Sequence, residues 1–174
     1  MVKLDNTKIR KLLASRDFGH NTTKYGQQLE DLICYIFEKL PHVSLKERNL
    51  QDRSNGREID LVFWNDHTHS GLYFLHSIIP VECKNWSKPV TGNELIMFAT
   101  LLKNRGLSFG IFVARSGITG KELKGTDGYG DLQNILHDGC KILIITERDL
   151  ENITDTDQIV ELLKQKLCKL VIAT

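Results

Sequence analysis

The chain has no pair of cysteines at C-x-x-C spacing. Its four cysteines, Cys34, Cys83, Cys140 and Cys168, are scattered along 174 residues. That distribution supports neither a zinc site nor a disulfide framework and fits free thiols in a reducing compartment. Long apolar runs are also missing. None reaches the roughly 18 residues that a membrane span requires. The first residues, "MVKLDNTKIRKLL", lack the apolar stretch of a secretory signal, so a cytoplasmic protein with no membrane partner is expected. There is no internal repeat, low-complexity tract or linker. One domain over residues 1–174 is therefore expected, with its core at about 22–153 and a C-terminal amphipathic helix at about 155–172. Such a length buries a real core without covalent staples. A strong excess of one charge is absent too, since the formal net charge is +1. The balance hides an asymmetry. Residues 1–125 hold 18 Lys+Arg against 13 Asp+Glu, and residues 126–174 hold 5 against 9. A surface for a polyanion belongs to the first two thirds, although dedicated DNA-binding modules are more basic.

What is present is a clear alternation of periods. "NTKIRKLLAS" carries Ile9, Leu12 and Leu13 at helical spacing behind Asp5 or Asn6 as cap. "NTTKYGQQLEDLICYIFEKL" repeats the pattern through Leu29, Leu32, Ile33, Ile36, Phe37 and Leu40, and Pro41 stops it. "HVSLKERNL" reads as a weak strand. "REIDLVFW" and "LYFLHSIIPVECK", separated by the polar turn "NDHTHSG", read as an antiparallel hairpin. "TGNELIMFATLLKNRG" predicts a helix with a Thr91/Glu94 capping box and a stop at Gly106. "LSFGIFVAR" and "CKILIIT" are apolar enough to be buried on both faces. "SGITGKELKGTDGYG" reads as loop with partial helix, "DLQNILHDG" as a short helix, and "TDTDQIVELLKQKLCKLV" as a closing helix. The order predicts an α/β fold, a mixed central sheet between helical layers.

Two of the apolar strands hold charges where a core would exclude them. Side chains alternate along a strand, so Glu82 and Lys84 share one face, as do Glu58 and Asp60. Ile59, Leu61, Phe63, Val81 and Cys83 turn the other way. If the strands are neighbours, Asp60, Glu82 and Lys84 converge. Two carboxylates can hold Mg²⁺ while water and a phosphate oxygen complete its octahedron. The ion then polarises the phosphate and acidifies a bound water, and a neighbouring lysine positions that water or neutralises developing charge. The competing reading is an ordinary set of cross-strand salt bridges on a wet sheet face.

"EIDLVF" followed by "PVECK" resembles the Asp…Glu-x-Lys signature of the PD-(D/E)xK nuclease superfamily, and over about residues 22–153 the chain is similar to the Mrr-type restriction endonuclease domain. "YGQQLEDLICYIF", "LSFGIFVARSGIT" and "KILIITERDLENI" match that domain's elements in order. The resemblance implies a restriction-endonuclease-like three-layer sandwich with a mixed central β-sheet flanked by helices. It implies that Asp60 and Glu82 are metal ligands, that Lys84 is the catalytic lysine, and that Glu30 is an auxiliary acid. Ile59 stands where the superfamily's name has proline, whereas Glu82 is an acid where many Mrr-type domains have glutamine. The implied function is Mg²⁺-dependent DNA endonuclease, with Mn²⁺ able to substitute, in restriction or phage defence, as a homodimer or within a larger assembly. The rivals are a structure-specific resolvase or repair nuclease on the same fold, and a non-catalytic nucleic-acid-binding or assembly subunit.

Other residues invite weaker readings. Lys88, Lys103, Arg105, Arg115, Lys121 and Lys124 follow the site and are candidate phosphate contacts. Trp86 and Tyr129 are candidates to stack on bases. His67, His69 and His76 could be ligands, but "NDHTHSG" reads as a solvated turn. "GYGD" lacks the strand before it and the lysine after it that a phosphate loop needs.

Overall fold

The computed structural model describes residues 1–14, 22–51, 58–121 and 126–172. In chain order its elements are α1 (Asn6–Ala14), α2 (Thr22–Phe37), β1 (Val43–Gln51), β2 (Glu58–Asn65), β3 (Ile78–Lys84), α3 (Gly92–Asn104), β4 (Phe109–Ala114), α4 (Gly128–His137), β5 (Lys141–Ile145), α5 (Glu147–Leu150) and α6 (Thr156–Ile172). The strands form one sheet in the order β1-β2-β3-β4-β5. β1, β2 and β3 pair antiparallel, and β3, β4 and β5 pair parallel.

The burial of each strand follows its sequence. "FGIFVA" is apolar throughout and every residue of β4 is buried, as a central parallel strand requires. In β2 the burial alternates, with Ile59, Leu61 and Phe63 inside. Two cores lie on the two faces of the sheet. On the first, Leu61, Phe63, Val81, Ile111 and Val113 meet Leu32, Ile33, Ile36 and Phe37 of α2, with Ile9 of α1 and Ile159 of α6. The rings of Phe37 and Phe63 lie 5.1 Å apart. Each such fully buried side chain contributes about 1.5–3 kcal/mol of transfer free energy. On the second face, Phe112, Ala114 and Ile142 meet Leu95, Phe98, Ala99 and Leu102 of α3 and Leu132 and Ile135 of α4. A Cβ at Gly110 would come within 2.8 Å of Leu102 and Phe98 side-chain carbons. The missing side chain therefore lets α3 lie directly on the β4 backbone.

The second face is only half covered. Its helices pack over β4 and β5, while Trp64 and Ile78, cross-strand partners on β2 and β3, remain 41% and 40% exposed. This uncovered half-face is where the charged residues of β2 and β3 emerge.

Two local expectations change. The strand read over residues 72–84 begins only at Ile78, and residues 69–74 form turns. The cause is Asn65, 1% exposed at the end of β2. Its amide Nδ2 donates to the carbonyls of Leu72 at 2.8 Å and His76 at 3.2 Å, and its Oδ1 accepts the His67 N–H at 3.2 Å. One side chain satisfies main-chain groups that a ladder would otherwise have claimed, and Leu72 and Leu75 become buried plugs. The capping box also fails to form. Thr91 is the N-cap of α3 but makes no side-chain cap hydrogen bond.

Asn65→Ala is expected to lower stability by about 1–3 kcal/mol, because it orphans buried carbonyls. A urea midpoint unchanged from wild type would show that the turn does not depend on this amide.

Candidate active site

The β2–β3 ladder ends at the rung Leu61↔Val81. One residue further, a side chain takes the place of the backbone. The Cys83 N–H donates to Asp60 Oδ2 at 2.6 Å. Leu61, Val81 and Cys83, next to Asp60 and Glu82, belong to the α2-side core, so by strand alternation both acids and Lys84 face the other side, at the border of the uncovered half-face. Lys84 Nζ donates to Glu82 Oε1 at 2.6 Å, with the two side chains 23% and 12% exposed. Glu82 Oε2 is buried and has no hydrogen-bond partner. The sequence expectation that Asp60, Glu82 and Lys84 gather at one end of two neighbouring strands describes this arrangement.

Glu30 comes from α2, which packs on the opposite face, and is 9% exposed. Its Oε2 is also buried without a partner. Burial pushes the Glu30 carboxyl up to about 7, with Asp60 adding repulsion and Arg48 opposing it. Burial pushes Glu82 up to about 7 as well, with repulsion from Asp60 added and the charge and hydrogen bond of Lys84 opposing it. Asp60 is raised by burial against the lowering effect of the Cys83 N–H. Lys84 shows the complement. Burial would lower its pKa, but Glu82 and Asp60 together raise it, so the ammonium is held protonated. The wholly buried Cys83 thiol is pushed well up by burial, then by Asp60, Glu30 and Glu82. Asp60 and Glu82 thus share the Lys84 ammonium, and one oxygen each of Glu82 and Glu30 lacks any donor.

Among the described residues no group of three or more His, Cys, Asp or Glu side chains is placed to hold a metal ion. Hard oxygen donors on two carboxylates, completed by water and substrate, are an open arrangement that Mg²⁺ accepts.

The basic residues separate into groups. Lys88 and Lys121 are exposed. Lys103 pairs with Asp138 at 3.1 Å, and Arg105 Nη1 reaches the Leu101 carbonyl at 3.5 Å. Arg115, a candidate phosphate contact by sequence, is instead 9% exposed and committed internally to Glu147, Asn85 and the Leu13 carbonyl. An arginine after a wholly apolar strand enters the interior because only partners there can hold its fork. Lys124 lies outside the described residues. Trp86 is 45% exposed with its ring 5.9 Å from Lys84 Nζ. Tyr129 packs against the second core. His67 contacts Ser77 Oγ at 2.8 Å and His76 stacks on Phe109 at 5.2 Å, so both serve the turn.

Sequence reasoning missed Glu94. It is half-buried in the first turn of α3 and within electrostatic reach of both Glu82 and Lys84. Its spacing from Thr91 suits a cap and a site equally, so no sequence signal separates the two.

The restriction endonuclease family model Mrr_cat matches residues 22–132, more than half of the chain and the whole stretch that holds Glu30, Asp60, Glu82 and Lys84. The chain belongs to this family, and its five-stranded mixed sheet between helical layers is a restriction-endonuclease-like fold. No curated protein matches it. Among the described residues no helix is long and apolar enough to cross a membrane.

The raised carboxyls set a pH dependence. Glu30 and Glu82 move from 4.5 to about 7 on folding, so the folded chain binds more protons than the unfolded chain between those values. Stability of the metal-free protein should therefore fall as pH rises through that window and level off above it. The urea midpoint in EDTA is expected to drop from about pH 5 to about pH 7.5, and less so in Glu30→Gln or Glu82→Gln. A midpoint that rises over the same range would contradict the crowding of carboxylates.

Proposed function

We propose that the protein is a metal-dependent DNA endonuclease of the restriction type, with Asp60 and Glu82 as metal ligands, Glu30 as an auxiliary acid and Lys84 as the catalytic lysine. The observation that carries this reading is the imbalance at the end of β2 and β3. Asp60 and Glu82 share the Lys84 ammonium, Glu30 adds an acid that senses Asp60, and the buried oxygens Glu82 Oε2 and Glu30 Oε2 have no donor. Unpaired buried carboxylate oxygens are costly, and a cation is the partner that would offset the cost. Their hardness fits Mg²⁺, with Mn²⁺ as substitute. A divalent ion bound there supplies charge to a phosphodiester under attack and acidifies the attacking water.

The chain's own groups account for the rest. Asp60 keeps Oδ2 on the Cys83 N–H, which fixes its direction before any ion arrives. Lys84, held protonated by Glu82 and Asp60, acts as a donor to the phosphate rather than as a base. The uncovered half-face, with exposed Trp64 and Trp86, gives a duplex a surface beside the site, and exposed Lys88 and Lys121 suit phosphate contacts. Lys103 and Arg105, which already have internal partners, could at most share theirs with phosphate. Cutting both strands of DNA calls for two sites, hence a homodimer or a larger assembly.

Lys84→Ala tests the reading. On plasmid DNA with Mg²⁺ or Mn²⁺ it should cut roughly a hundredfold or more slowly than wild type, the order of one electrostatic group. The variant should remain folded, and its DNA affinity in Ca²⁺ should stay close to wild type. Wild-type protein that cuts no plasmid, linear, branched or single-stranded DNA would favour a non-catalytic subunit. Unchanged cutting by Lys84→Ala would remove the lysine from the mechanism.

A further inference from the structure

Lys84 ends β3, and the loop after it is gripped by the segment after β4. The Ser116 hydroxyl donates to the Trp86 carbonyl at 2.7 Å. The Val90 N–H donates to the Gly117 carbonyl, and the Thr119 N–H to the Val90 carbonyl, each at 2.9 Å. Arg115 carries this lacing inward. Its main-chain N–H donates to the Lys84 carbonyl at 3.1 Å, and its own carbonyl accepts the Glu147 N–H at 3.1 Å. Its side chain then takes hold of the next residue, since Nη1 donates to Asn85 Oδ1 at 3.1 Å. The same guanidinium is anchored on Glu147 through Nε at 3.0 Å and Nη2 at 3.1 Å, and Nη2 also donates to the Leu13 carbonyl at the end of α1 at 2.7 Å.

We infer that Arg115 is a positioning residue for Lys84, fixing the end of β3 so that the ammonium stands on Glu82, and that it ties this setting to α1 and α5. The inference rests on the proposal that Lys84 is catalytic. Three features support it. Residue 115 grips two consecutive residues, Lys84 by main chain and Asn85 by side chain. A buried ion pair such as Arg115–Glu147 roughly breaks even as a stabiliser, so fold stability alone explains it poorly. The contacts run in separate directions from one rigid planar fork, which the compact ammonium of a lysine cannot reproduce.

Arg115→Lys and Asn85→Ala test this. The first keeps the buried charge beside Glu147, and the second alters only a half-exposed side chain, so both should fold. Each is expected to slow single-turnover plasmid cleavage about tenfold or more, with DNA affinity in Ca²⁺ within about twofold of wild type. In lysine-labelled, metal-free protein the Lys84 side-chain resonance, assigned by its loss in Lys84→Ala, should shift in both variants. On a Lys84→Ala background neither change should slow the residual cleavage further. An unmoved Lys84 resonance with wild-type cleavage overturns the inference, as does a loss of DNA affinity at unchanged rate, or losses that add to that of Lys84→Ala. If Lys84→Ala itself cuts like wild type, the reading of the site fails. If Lys84→Ala is impaired while both variants cut normally, only the role of Arg115 fails.

Discussion

One hydrogen bond, from the Cys83 N–H to Asp60 Oδ2, sets the terms for the rest of the site. At the rung Leu61↔Val81 the two strands are still an ordinary antiparallel pair. A carboxylate then replaces a carbonyl as acceptor and the regular ladder stops. The replacement satisfies a main-chain donor, as any buried N–H demands, and it brings a charge into a sheet whose other face is core. Asp60 is fixed by β3, the strand that also bears Glu82 and Lys84. That Asp60 raises the Glu82 carboxyl and that both acids hold the lysine protonated follows from this proximity.

The layers around the sheet leave this arrangement accessible. On one face α2 packs against β2 and β3, yet it also supplies Glu30, whose carboxyl senses Asp60. On the other face α3 and α4 cover β4 and β5, leaving β2 and β3 open where Trp64 and Ile78 emerge. A site of this kind is a local weakness in a metal-free protein. Its unpaired oxygens and repelling charges are offset by the apolar burial of two cores, each of which holds side chains fully removed from water.

The sequence made the strands legible because their periods are unambiguous. The alternation in "EIDLVF" assigned Leu61 and Phe63 to the core and Asp60 to the other face, and the unbroken apolar run of "FGIFVA" marked a strand buried on both sides. Three features were not legible. The alternation in "LYFLHS" suggested strand, but the tertiary contacts of Asn65 claim that segment's carbonyls. Thr91 and Glu94 have capping-box spacing, but Glu94 lies within the field of Glu82 and Lys84 instead. Arg115 looked like one more surface cation, and only the meeting of β3, β4, α1 and α5 reveals its acceptors. Each was decided by side-chain contacts or charges that a repeat pattern does not encode, and for Arg115 those partners lie 30 to 102 residues away.

The central claim is that the charge crowded around Asp60 exists to be neutralised by a divalent cation. Its most direct test is the melting temperature with and without millimolar Mn²⁺ or Ca²⁺, in wild type and in Asp60→Asn. An ion that binds only the folded wild type stabilises it by roughly 1–3 kcal/mol at ten- to a hundredfold excess over its dissociation constant, a rise of several degrees for a chain of this size. Asp60→Asn keeps an oxygen for the Cys83 N–H but removes the charge. The account predicts that it is at least as stable as wild type without metal and gains nothing from the ion. An equal metal-induced rise in both proteins would contradict the account and make Asp60 a structural charge.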